Sequence, residues 1–140
     1  MQSASHPSPR PVHPVLIILP LCLLGISVLF DAAGSLSPRA PVWGILAYGN
    51  LVAGILIALL ATGVQIAESR NHTYRTGPYR MIFMHHLLNL TALALFGISL
   101  VYRIHNPSKL PDTTAFFASI FGLCILSIGG CLAALRPAPL

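Results

Sequence analysis

The side chains that could do chemistry here are six histidines, three acids and a handful of amides. His85, His86 and Asn89 form the densest group, and His85 and Asn89, four apart, share one face of any helix that carries them. An imidazole in that setting can ligate haem iron or another metal, or relay protons. Its structural alternative is a histidine bonded to a neighbouring helix or a headgroup. A bis-imidazole haem b needs two histidines on facing helices, each about 2 Å from iron and at similar depth. His13 and His85 are the candidate axial ligands, with His86 and Asn89 beside them, although His13 precedes its apolar run and His85 lies about 6 Å inside another. Glu68 and His72, again four apart, could join these imidazoles around zinc or another divalent ion; their structural reading is a solvated helix end. Asp31 and Asn50 are candidate buried polar residues. Asp31 has no Lys or Arg beside it in sequence, so its possible partners are Asn50, Ser99 and, from another helix, Arg103. A structural pair is favoured over catalysis because no nucleophile and oriented base stand together, and no catalytic residue is assigned.

The elements that must position these groups follow from composition. The 140 residues are 55% apolar and only 8% charged, against about 25% charged in an ordinary soluble domain. With a mean hydropathy of +0.78, a soluble globule and a disordered chain are both excluded. Four apolar stretches, Val15 to Leu36, Val42 to Ala67, Met81 to Tyr102 and Thr114 to Leu135, are long enough to cross about 30 Å of hydrocarbon. They are continuous, without the alternation of a barrel strand, so the fold is an all-α integral-membrane four-helix bundle over residues 13–136, behind a disordered tail over 1–12. Prolines 14, 41, 78, 107 and 111 punctuate the spans. Pro20 lies inside the first, where it cannot donate to the Leu16 carbonyl and should bend the helix.

Arg10, Arg70, Arg75, Arg80 and Arg136 fall on one side of the spans, and Arg39, Arg103 and Lys109 on the other, which favours cytoplasmic termini in a bacterial inner membrane. Trp43, Tyr79 and Tyr102 sit near span ends as interfacial aromatics do. The net charge of +5 is therefore an orientation signal and does not point to nucleic acid. The expected partners are the bilayer and other membrane subunits or a second copy. The first apolar run exceeds a usual signal-peptide core and no A-x-A site follows it, so it is expected to be retained. Cys22, Cys124 and Cys131 read as small packing residues within spans. The sequon at Asn71-His72-Thr73 is expected on the inner side and so reads as chance.

An internal repeat links spans one and three. His13 and His85 each stand twelve residues before a Gly-Ile-Ser triplet, at Gly25 and Gly97. This predicts two parallel helical hairpins related by an axis along the membrane normal. In span four, Ala118 and Gly122 form a small-xxx-small pair, with Gly129 on nearly the same face.

His13-Pro14 with Pro20 and Asp31, a Gly- and Ala-rich second span and His85-x-x-x-Asn89 together resemble the bacterial four-helix membrane family catalogued as domain of unknown function 2231. The resemblance runs from about His13 to Leu135. The family pattern has a second histidine two residues before the first-span proline, where this chain has Ile18, and an acidic residue near the end of span two that Gln65 and Glu68 only approximate. Some relatives join this domain to a Rieske-type iron-sulfur domain, which implies service near electron transfer. The resulting expectation is a non-enzymatic accessory subunit of a respiratory or photosynthetic electron-transfer assembly. The alternatives are a cytochrome b-like carrier using His13 and His85, and an ion or proton transporter using His85, Asn50 and Asp31.

Overall fold

A computed structural model describes residues 14–37, 40–71, 79–106 and 112–134, with side chains placed for 18–37, 41–67, 83–106 and 112–131. It contains four helices: α1 (Pro14–Leu36), α2 (Ala40–Asn71), α3 (Tyr79–Ile104) and α4 (Thr113–Ala134). Each holds a stretch apolar and long enough to cross a bilayer, at Ile18–Leu36, Pro41–Ala67, Phe83–Ile104 and Thr113–Cys131. Four such helices are what the all-α four-helix reading of the sequence expects. At 1.5 Å per residue the 32-residue α2 is about 48 Å long, so its last turn continues past the hydrocarbon. α1 runs as one helix through Pro20. α4 starts where Asp112 caps it: Asp112 Oδ1 accepts the Ala115 N–H at 2.8 Å.

α1 packs chiefly on α2 and α3 chiefly on α4, and the two hairpins meet where α1 touches α4 and α2 touches α3. α1 and α3 therefore stand on a diagonal. Each hairpin closes on a glycine. A Cβ on Gly54 would lie 2.8 Å from the Leu24 side chain, and one on Gly122 would lie 3.0 Å from the Phe96 ring, so a bare backbone lets these helices approach. Leu24, Leu51 and Phe96 form the buried core, with Val28, Ile55, Leu100, Leu123 and Leu126 packed around them.

The repeat is visible in this packing. Leu24, Ser27 and Asp31 on α1 are buried, and so are their counterparts 72 residues on, Phe96, Ser99 and Arg103 on α3. Pro20 and Ala92 continue the same register. Within the first hairpin Ser27 Oγ donates to the Ala47 carbonyl at 2.8 Å, and within the second Ser119 Oγ bonds Ser99 Oγ at 2.8 Å, each pair 20 residues apart. The outer surface is apolar, with Leu29, Leu60, Leu90 and Phe121 well exposed, as helices facing lipid require. Cys22, Cys124 and Cys131 lie on this outer surface, which corrects the expectation that they pack between helices.

Candidate functional site

Among the described residues, polar side chains cluster at two places in the apolar interior, one toward each end of the bundle. At the first, Asp31 lies five residues, about 7 Å, inside the end of α1, and Arg103 lies one residue from the end of α3. Arg103 reaches across the diagonal between them. Its Nη1 donates to Asp31 Oδ1 at 2.7 Å and its Nη2 pairs with Oδ2, a two-pronged contact with both side chains fully buried. Arg103 Nε donates to Ser99 Oγ at 3.3 Å, Ser99 bonds Ser119, and Ser119 Oγ lies 3.1 Å from the Ala115 carbonyl. The network thus joins α1, α3 and α4, and among the described residues no buried side-chain polar atom lacks a partner.

Such a closed network is a structural clasp. Two charges withdrawn from water cost several kcal/mol each, which the bidentate contact and the serine bonds offset only while every partner stays in place. A proton or ion passing through would have to break that arrangement. Of the partners considered from sequence, Arg103 is the one that binds Asp31, and Ser99 supports it through the guanidinium. Asn50 is not part of it. Half-buried, it donates from Nδ2 to the Leu46 carbonyl of its own helix at 2.9 Å. Arg103 is also withdrawn from the loop charges among which the sequence counted it, because its helix continues to Ile104 and its side chain turns inward.

Toward the other end, all four helices line a cleft of about 60 Å³ whose walls are mostly apolar. Its polar side chains are Gln65 from α2 and His85 and Asn89 from α3, with buried Pro20 of α1 and Gly130 of α4 forming part of the remaining wall. His85 is half-buried, and its Nδ1 lies 3.1 Å from the Gly129 carbonyl of α4. A carbonyl only accepts, so Nδ1 carries the proton and the ring is fixed, the kind of support that orients ligating imidazoles. The Gly129 position permits this approach, since even a Cβ there would lie 3.8 Å from Nδ1. His86 stands beside it, ring centres 5.9 Å apart, and is also half-buried. A narrower space of about 20 Å³ extends from Asn89 toward Leu24 and Phe96.

His13, His72 and the side chain of Glu68 lie outside the described residues, so neither the haem pair nor the carboxylate-imidazole cluster is assembled here. Among the described residues no group of three His, Cys, Asp or Glu side chains converges. The chain reading missed Gln65 as a cleft residue and Asp112 as a helix cap. The first carried only its approximation to the acidic position of the family pattern near the end of span two, whereas Pro111-Asp112-Thr113 is a legible start signal.

A family model described as "Predicted membrane protein (DUF2231)" matches residues 9–135. No curated protein and no solved structure matches the chain.

Proposed function

Because the chain belongs to the DUF2231 family of membrane proteins, whose description gives a location and no activity, we propose a role from the bundle itself: a non-enzymatic accessory subunit of a membrane electron-transfer assembly. The observation that carries this reading is the closed Asp31–Arg103 clasp inside an apolar exterior. The buried charge is spent on holding two hairpins together, and the outer faces offer contact to lipid or to other spans. This favours a scaffold over a transporter, which needs polar groups that exchange partners along a path. The electron-transfer setting is supported by the resemblance to relatives joined to Rieske-type domains. With Arg103 inside the bundle, Arg10, Arg70, Arg75, Arg80 and Arg136 oppose only Arg39 and Lys109, which supports cytoplasmic termini in the bacterial inner membrane more strongly than sequence alone.

The test is isolation of the tagged full chain from native membranes in a mild detergent. Stoichiometric recovery of a partner that carries a redox cofactor is the expected result, and recovery of the chain alone from every mild detergent tried overturns the subunit reading. The fixed ring of His85 favours one second reading, haem b ligation with His13. The cleft holds about four water molecules, so a macrocycle would enter only with the hairpins drawn apart. A Soret band lost in His85→Ala supports that reading, and a colourless, iron-free protein removes it.

A further inference from the structure

The cleft near His85 is the polar feature that the clasp and the scaffold role leave unused. It lies inside the apolar stretches of the sequence: His85 is four residues and Asn89 eight residues past Met81, and Gln65 is two residues before Ala67. At 1.5 Å per residue these groups sit about 3 to 12 Å inside those stretches. An amide at that depth needs a hydrogen-bonding partner. No hydrogen bond joins the Gln65 or Asn89 side chain to another described residue, in contrast to Asn50, Thr62 and Thr91, which bond back to their own helices. Pro20 adds a further acceptor to α1, because it supplies no N–H to the Leu16 carbonyl.

The surroundings restrict what could fill the cleft. The described lining of the cleft holds no Arg or Lys and so presents no cation to an anion. A metal ion would meet one imidazole and two amides, with no carboxylate among the lining residues. What fits is a neutral oxygen. An amide donates to a carbonyl through its N–H and accepts from a hydroxyl through its C=O, so Gln65 and Asn89 serve either. A space of about 60 Å³ admits the oxygen and the atoms next to it but not a large ring, so the body of the ligand would remain in the lipid.

We propose that the cleft formed by Gln65, His85, Asn89 and Gly130 binds the uncharged carbonyl or hydroxyl head of a lipid-soluble molecule. The source is a quinone-type carbonyl or a long-chain alcohol, and the site does not depend on the chain being a subunit. Gly130 supplies the means of testing it, because it lines the cleft and a Cβ there meets nothing within 4 Å, so a larger side chain can be introduced beside the proposed site.

The experiment is native mass spectrometry of the full chain in detergent with three probes: a benzoquinone bearing a decyl tail, decan-1-ol, and decane. One equivalent of an oxygen-headed probe and no retained decane is the expected result. Retention of the quinone alone assigns the site to carbonyl heads, and retention of both assigns it to neutral oxygens in general. Gly130→Leu should weaken retention at least tenfold and Asn89→Leu about three- to tenfold, the loss of one hydrogen bond. Gly97→Leu, also at a position with open space, should leave it unchanged. Retention of no probe, equal retention of decane, or retention unchanged in both Gly130→Leu and Asn89→Leu overturns the site and leaves water as its occupant.

Discussion

Replacing one partner of the Asp31–Arg103 pair should destabilise the bundle far more than replacing both. Asp31→Leu leaves a guanidinium buried at 0% exposure with Ser99 as its remaining described side-chain partner, and Arg103→Leu leaves a carboxylate about 7 Å inside the span. Breaking a fully buried pair in this way costs about 3–5 kcal/mol. That is a large part of the roughly 5–15 kcal/mol by which a typical fold is stable. The double variant Asp31→Leu/Arg103→Leu removes both desolvated charges and refills the space with apolar atoms, a change that is often neutral or stabilising by about 1–4 kcal/mol. Asp31→Arg/Arg103→Asp restores opposite charges at two positions that the repeat makes equivalent, and should recover most of the loss. The measurement is unfolding of purified chain in mixed micelles against rising SDS mole fraction, followed by far-UV circular dichroism. Single variants within about 1 kcal/mol of wild type would refute the clasp. So would a double Leu variant no more stable than either single one.

Three further outcomes follow from the packing. Gly122→Ala should cost about 1–3 kcal/mol in the same titration, because its Cβ would meet the Phe96 ring at 3.0 and 3.2 Å, whereas Gly49→Ala, with open space, should be neutral. Asp112→Ala should cost about 1 kcal/mol by removing the α4 cap, and Asp112→Asn should retain most of it. A cysteine placed at Arg75 should react with a membrane-impermeant maleimide only after the inner face is opened, and labelling from intact cells would reverse the proposed topology.

The fold was legible because its determinants are one-dimensional. Continuous apolar length and proline placement bound the four helices to within a few residues, since lipid leaves a helix no other way to satisfy its backbone. The clasp was only partly legible. Asp31 stood out as a lone carboxylate in a span, but Arg103 occupies a span end, where arginines also cap and snorkel. Its inward turn depends on Asp31 of α1 and on Ser99, which Ser119 of α4 supports, and no local pattern specifies that meeting of three helices. The cleft was less legible still. Asn89 was found through its spacing from His85, whereas Gln65 joins them across a helix pair whose register the chain does not state.

The repeat supplies the missing long-range information and shows why the charged pair is placed where it is. A shift of 72 residues carries Leu24 to Phe96, Ser27 to Ser99 and Asp31 to Arg103, all buried, so the inner faces of the two hairpins follow one plan. Two faces built alike could equally well pair like with like, α1–α2 of one chain against α1–α2 of another. Opposite charges at the one equivalent pair of ionised positions remove that degeneracy. Asp31 against Asp31 would bury two carboxylates without a cation, and Arg103 against Arg103 would bury two cations, each several kcal/mol worse than the native pair. The clasp therefore specifies which hairpin meets which as well as holding them. This makes the reversed Asp31→Arg/Arg103→Asp protein informative about assembly: it should fold as a single chain, its α3–α4 hairpin should fail to pair with the native α1–α2 hairpin because Asp would meet Asp, and its α1–α2 hairpin should pair with the native α1–α2 hairpin.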